Sequence, residues 1–352
     1  MKRQSIARSL TGGWEPLEHR LCLTVAVQVD DGNLLVTGDA DGDVEIIATA
    51  DAGSFQVLDG GMLVDTATGV EGNILVDIDE DGAVDNNLTL DLGTQSIGRV
   101  LVDLGDGQNS FVLQGGTVGK SLMFIGGDGD DTVTIAAAAA VDQSVYARLG
   151  EGDDSVLVEG TIGRNLLVRA GDGDDTVEIA AGAVVEHNAI VWLGDGTNHV
   201  TVGGQIGHVL HVRGGVDDDL VELLAGAQVG GSVHAWLGDG DNQLIDAATV
   251  EGNLAYDGRD GNDDVQLTAD AVVEGNVKVR LGDGDNTFTH DGEIAGNLLV
   301  TSKNENDTAT VADTAIVGGM TRIALGEQED FGHPFGRHRR PGFLAFGPPL
   351  RR

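Results

Sequence analysis

The stretch GGDGDDTVT at residues 126–134 returns, slightly altered, along most of the chain: LGEGDDSV at 149–156, AGDGDDTV at 170–177, LGDGTNHV at 193–200, GGVDDDLV at 214–221, LGDGDNQL at 237–244, GRDGNDDV at 258–265 and LGDGDNTF at 281–288. Its sixth position holds Asp131, Asp154, Asp175, Asn198, Asp219, Asn242, Asp263 and Asn286, and the column continues to Asp307 and Asp330. Successive members stand 23 and 21 residues apart in alternation, so two units make a 44-residue period without drift. A second column (Ile97, Val118, Val141, Ile162, Val185, Ile206, Val229, Val250, Val273, Ile294 and Val317) alternates at 21 and 23 as well. Internal periodicity of this kind signals a repeat architecture and is read before any local motif.

Outward from the Asp/Gly turns run short segments that alternate apolar and polar residues, which predicts strands. Val145, Ala147 and Leu149 share a face with Ala189, Val191, Leu193 and with Val233, Ala235, Leu237, while Val133 and Ile135 align with Val177 and Ile179. Most members of the second column stand just before Gly/Asn-rich text such as EGN or AGN, which predicts a second turn opposite the first. A unit of about 22 residues with two such strands cannot bury its apolar face alone, so neighbours must stack. The expected fold is all-β: a parallel β-solenoid (β-helix) of about 12 rungs, roughly 60 Å long at ~4.8 Å per rung. The expected organisation is a leader at 1–24, irregular first rungs or an N-terminal cap at 25–96, a regular solenoid at 97–331, and a basic Pro/Phe-rich tail or C-terminal cap at 332–352.

Composition narrows the partners. With 58 acidic against 20 basic residues and a net charge of −38, most of the surface repels a phosphate backbone, which excludes nucleic acid and favours cations. Such acidity often means disorder, but 41% hydrophobic residues in dense alternation supply the surface needed to fold. A single cysteine, Cys22, excludes an internal disulfide. No run approaches the ~18 apolar residues of a membrane helix.

GGDGDDTVT matches the calcium-binding nonapeptide G-G-x-G-x-D-x-U-x and so resembles the RTX proteins. Glycines permit tight turns whose carbonyls face inward, and the sixth-position carboxylate adds a hard oxygen ligand. The resemblance implies calcium held between successive turns. The candidate ligands are Asp128, Asp130, Asp131, Glu151, Asp153, Asp154, Asp172, Asp174, Asp175, Asp195, Asp217, Asp218, Asp219, Asp239, Asp241, Asp260, Asp263, Asp283 and Asp285. Like charges one strand spacing apart repel by roughly 0.8 kcal/mol each in water, a cost that cations would relieve. Solvated turns are the other reading, because Asp, Asn and Gly are default turn residues. The chain departs from the RTX pattern in carrying the motif on one edge only, in placing Asn at 198, 242 and 286, and in losing glycine at Lys303 and Glu305.

Residues just before each turn point outward and stack: Arg148, Arg169, Trp192, Arg213, Trp236, Asp257, Arg280, with Tyr146, His211, His234 and Lys278 two positions back. Exposed Trp among Arg marks contact surfaces, including sugar-stacking platforms. The opposite outward strand has Thr132/Thr134, Thr287/Thr289 and Thr308/Thr310, as in ice-binding solenoids, but Leu220/Glu222, Gln243/Ile245 and Asp264/Gln266 interrupt it. Catalysis would need carboxylates that break the repeat, and the nearest break is Tyr256, Asp257, Arg259, Asp260. Of His187, His199, His208, His211 and His234, only His211 and His234 are expected on adjacent rungs of one column.

The segment from Trp14 to Thr24, with Leu17, Glu18 and Arg20 and preceded by Lys2, Arg3 and Arg8, resembles the LEPR-XLL motif of planctomycete-type surface proteins. The resemblance implies export to the cell surface or the extracellular medium of a bacterium. The functional expectation is an exported, non-enzymatic structural or adhesion-type repeat protein with RTX-like calcium-binding turns, its partners being calcium and a glycan or cell-envelope component. The alternative is a carbohydrate-binding or carbohydrate-cleaving β-helix (a polysaccharide lyase or hydrolase) that uses the Trp/Arg stripe.

Overall fold

The structure, a computed structural model, describes residues 25–38, 43–78 and 86–326. The leader with Cys22, the end of the repeat column at Asp330 and the Pro/Phe-rich tail lie outside them.

The alternating segments form strands that pair in parallel with their copies one repeat away. Leu122 pairs with Val145, Val145 with Leu166, Leu166 with Ala189, and the same step continues to Thr321. These partners lie 23, 21 and 23 residues apart, so the sequence alternation is the strand register itself. Eleven such turns run from Ile74 to Thr321, making a parallel β-solenoid without helix. Its core is a column of inward residues: Val145, Ala147 and Leu149 from one strand, Val133 and Ile135 from the other, all nearly free of solvent. No helix among the described residues is long and apolar enough to cross a membrane.

From Ser155 onward each turn has three strand runs where the alternation predicts two, the second and third being one bent strand in earlier turns such as Thr132–Val141. After Ser155–Val158 the chain bends at Glu159-Gly160 and lays down Thr161–Ile162 before the opposite turn. The second column, Ile162 and its equivalents, is this third strand, buried from Ile97 to Ile294 and partly buried at Val317. A two-residue strand is too short to show alternation, so only its spacing betrayed it.

The first turn differs in construction. Ala26–Asp30 forms an antiparallel hairpin with Asn33–Thr37, and Val44–Ala48, Ser54–Asp59 and Met62–Thr68 run antiparallel to one another. Those hairpins carry the chain from Leu34 to its rung partner Ile74, 40 residues on. At the other end the core-facing columns are exposed at Val311 and Ile323.

Tight stacking shows most clearly at the glycines of the Asp/Gly turn. Gly152 has φ +132°, and a Cβ there would collide with the backbone of Gly129 one rung below. Gly182 also has a positive φ, +91°, but faces open space. Gly152→Ala is therefore expected to cost roughly 3 kcal/mol or more, because it adds overpacking to backbone strain, and Gly182→Ala roughly 1 kcal/mol. Denaturant unfolding of both variants checks this. Equal losses would show that stacking at the turn adds nothing.

Candidate functional site

The acidic residues of the turn separate into structural classes that the motif alone does not distinguish. Those at the third and fifth positions, including Asp128, Asp130, Glu151, Asp153, Asp172, Asp174, Asp195, Asp218, Asp241, Asp260, Asp283 and Asp285, stand in solvent, with Asp239 half-buried. Asp217 belongs to neither class. It takes the left-handed glycine position, at φ 81°, because GGVDDD lacks the fourth-position glycine. The sixth-position residues Asp131, Asp154, Asp175, Asp219 and Asp263 are turned inward and buried, unlike the solvated side chains of the alternative reading.

Burial of a carboxylate demands partners, and one oxygen has them. Oδ1 of Asp131 accepts the backbone N–H of Asn109 at 3.0 Å, Oδ1 of Asp154 that of Asp131 at 2.7 Å, and Oδ1 of Asp175 that of Asp154 at 2.9 Å. The Asn members serve equally: Oδ1 of Asn198 accepts from Asp175, that of Asn242 from Asp219, and that of Asn286 from Asp263. Each rung therefore hands its sixth-position backbone N–H to the side chain of the next, except at Asn198, whose Nδ2 donates to Oδ1 of Asp219 at 2.9 Å. The exposed fifth position makes a second ladder of opposite sense, in which Asp130 accepts from Asp153 N–H, Asp153 from Asp174 and Asp174 from Thr197.

The other side-chain atom of the buried column decides the chemistry. In the Asn rungs Nδ2 donates to carbonyls of its own turn: Asn109 to Gly105 at 2.8 Å and Gly107 at 3.1 Å, Asn198 to Gly196 at 2.9 Å, Asn242 to Gly240 at 3.0 Å. In the Asp rungs an oxygen replaces that donor. Oδ2 of Asp131, Asp154, Asp175, Asp219 and Asp307 is buried without a hydrogen-bond partner, while Asp263 has the buried Tyr256 hydroxyl beside it. An acceptor now stands where the neighbouring rungs place a donor beside carbonyl oxygens. A proton or a cation reconciles these groups.

The acidities agree with that geometry. Burial raises Asp131 to about 6, Asp175, Asp219 and Asp263 to about 7, and Asp154 to about 8, the last reinforced by Asp175 and Asp131 on either side. Three consecutive rungs carry Asp at 131, 154 and 175, whereas Asn separates the later ones. No group of three His, Cys, Asp or Glu side chains gathers around one point among the described residues, so a cation here would draw most of its ligands from turn carbonyls. The C-terminal end of the edge is partly neutralised by side chains: Lys303 pairs with Asp283 at 3.0 Å, and Asn304 donates to Asp285.

No protein-family model matches the chain, and no curated protein matches it in sequence. Among solved structures it is similar to the X-ray structure of a hyperactive, Ca2+-dependent, β-helical antifreeze protein from an Antarctic bacterium, at 19% identity and a TM-score of 0.42, over 71% of this chain and 75% of that one. At that level the likeness is one of β-helical fold, which the strand register establishes without it. The outward Thr column is broken by His199, Leu220, Gln243 and Asp264, register partners of one another between Thr176 and Thr287.

The predicted outward stripe lies on one continuous sheet. Arg148, Arg169, Trp192, Arg213, Trp236, Asp257 and Arg280 are successive register partners. The Arg169 guanidinium sits 4.5 Å from the centre of the Trp192 ring, and His211 meets Trp236 edge-on at 4.4 Å, close to His234. Tyr146 stands exposed two rungs before Ile190. The irregular rung resolves into different roles: Tyr256 is buried inward, and Asp257 pairs with Arg280 at 3.0 Å. His187 and His208, expected in different columns, stack at 5.0 Å on the opposite turn, since the 21-residue step brings them into register.

Sequence reading missed a third ladder on that turn. Asn276 accepts the N–H of Asn297, and Asn297 that of Met320, as Asn33 does for Asn73. The recurring EGN/AGN text was its signal.

The buried column sets a pH dependence. A carboxyl whose folded pKa is raised binds its proton more tightly when folded, so stability is greatest below the unfolded pKa near 3.8 and falls as pH rises towards the folded value. In chelator, the melting temperature is expected to fall from pH 4 to pH 8. Asp154→Asn, which supplies the amide donor of the neighbouring Asn rungs, is expected to flatten that fall and raise the melting temperature at pH 8. A lower melting temperature for the variant at pH 8 would contradict the assignment.

Proposed function

We propose that the chain is an exported, non-enzymatic structural rod of adhesion type whose Asp/Gly edge takes up calcium between successive turns. The observation that carries this reading is the row of partnerless Oδ2 atoms at Asp131, Asp154 and Asp175, each in the place where an Asn rung presents a donor to turn carbonyls. Calcium prefers carboxylate and carbonyl oxygens, the two groups this turn brings together. The RTX-like text GGDGDDTVT and the exposed Asp130, Asp153 and Asp174 one rung apart support it. Export is supported by the basic leader with its LEPR-XLL-like residues Leu17, Glu18 and Arg20. A rod role is supported by geometry, since eleven stacked turns around one continuous buried core make an elongated object. Catalysis finds little support in Asp257, whose carboxylate is held by Arg280.

Within this reading, the Asp-rich rungs 131, 154 and 175 are the strongest sites and the Asn rungs interrupt the series. Calcium titration by calorimetry is expected to show binding, and calcium to raise the melting temperature over chelator, more at pH 8 than at pH 5 because the ligands must lose their protons. Asp154→Asn/Asp175→Asn is expected to remove most of that gain. No heat and an unchanged melting temperature would overturn the proposal.

A further inference from the structure

The flat sheet holds a second feature with no part in the ion edge. In a chain with 58 acidic and 20 basic residues, Arg148, Arg169 and Arg213 stand exposed and in register, and none has a carboxylate within ion-pair distance among the described residues. Arg280, in the same column, has Asp257. Trp192 and Trp236 alternate with these arginines, Trp236 being 44% exposed.

Beside the column lie two contiguous depressions of about 350 and 550 Å³ that share Arg213 and Gly214. The first is lined by Arg169, Trp192 and Arg213, the second by Arg213, Trp236, Asp257 and Arg259. Their floor is open because the turn residues beneath are glycines, Gly171, Gly194, Gly215 and Gly238. The two form one shallow groove parallel to the rod axis, about 19 Å long over four rung steps. The carboxylates along it are already engaged: Asp195 accepts the Val216 N–H at 3.0 Å, and Asp257 pairs with Arg280.

We propose that this groove binds an acidic polysaccharide, with a sugar ring stacked on the exposed Trp236 and carboxylates paired with Arg213 and with Arg169, whose guanidinium is held over the Trp192 ring. Indole faces take the apolar faces of sugars, and guanidinium groups pair with planar carboxylates through two parallel hydrogen bonds. A neutral glycan leaves the arginines unanswered. The acidic turn of a second copy brings carboxylates but no apolar face for the indoles. A linear, repeating polyanion matches a groove whose alternating contacts recur along a straight axis.

The test is titration calorimetry with polygalacturonate in chelator at low salt, which keeps the outcome separate from that of the calcium reading. Cellohexaose serves as the neutral arm and sedimentation velocity reports self-association. Wild type is expected to bind polygalacturonate at least tenfold more tightly than cellohexaose. Arg169→Ala and Arg213→Ala are each expected to weaken binding about tenfold, and Trp192→Ala/Trp236→Ala to abolish measurable heat. Arg164→Ala, on the opposite turn, is expected to leave affinity unchanged, with all variants melting as wild type does. Three results would overturn the proposal: no polygalacturonate binding, equal binding by the arginine variants, or wild-type self-association that the arginine variants abolish.

Discussion

Everything in this solenoid depends on keeping the register of one rung against the next, and the buried sixth-position side chains are where that register is held most tightly. An ordinary parallel sheet is tied by backbone hydrogen bonds alone, and at a turn the backbone leaves the sheet. Here backbone bonds such as Gly129 N–H to Glu151 O and Gly152 N–H to Asp172 O still join successive turns, and the side chain of Asp or Asn adds a further link. Its Oδ1 receives the amide of the rung before it, so the ladder continues through the bend from Asn109 to Asp307. The glycines fit the same scheme, since they let one turn rest directly on the backbone of another.

That arrangement uses half of each side chain and leaves the other half to determine behaviour. An amide completes the turn by donating to its carbonyls, whereas a carboxylate does not. Exchange between Asn and Asp along one column therefore changes the edge from self-sufficient to dependent on a proton or cation without altering the fold. The run Asp131, Asp154, Asp175 is the dependent part, and the alternation from Asn198 to Asn286 dilutes it. The flat sheet is chemically independent of this edge. Its arginines and tryptophans stack because the same register repeats them, on the outward side of the strand that leads into the turn.

The fold was legible in the text because alternating steps of 21 and 23 residues survive in two independent columns, and both are real strand registers. The Arg/Trp stripe was legible for the same reason, as it needed only the strand alternation applied to residues such as Arg169 and Trp192. The third strand at Thr161–Ile162 was not, because two residues carry no alternation. The inward turn of Asp131 and Asp154 was also hidden. In GDGDD two adjacent aspartates look alike, and only the backbone path sends one to solvent and the next against the core. The nearness of His187 and His208 was obscured by the uneven step, and the hairpins at 26–68 by the insertions that replace a rung.

On the proposed reading, the buried sixth-position carboxyls hold a proton until a cation takes its place. Infrared spectroscopy of the carboxyl region in chelator at pH 6, with proton release measured as calcium is added, tests it most directly. The account predicts a protonated-carboxyl band that is weaker in Asp154→Asn, and loss of that band with release of protons as calcium binds. Full ionisation at pH 6, or calcium uptake without proton release, would contradict it.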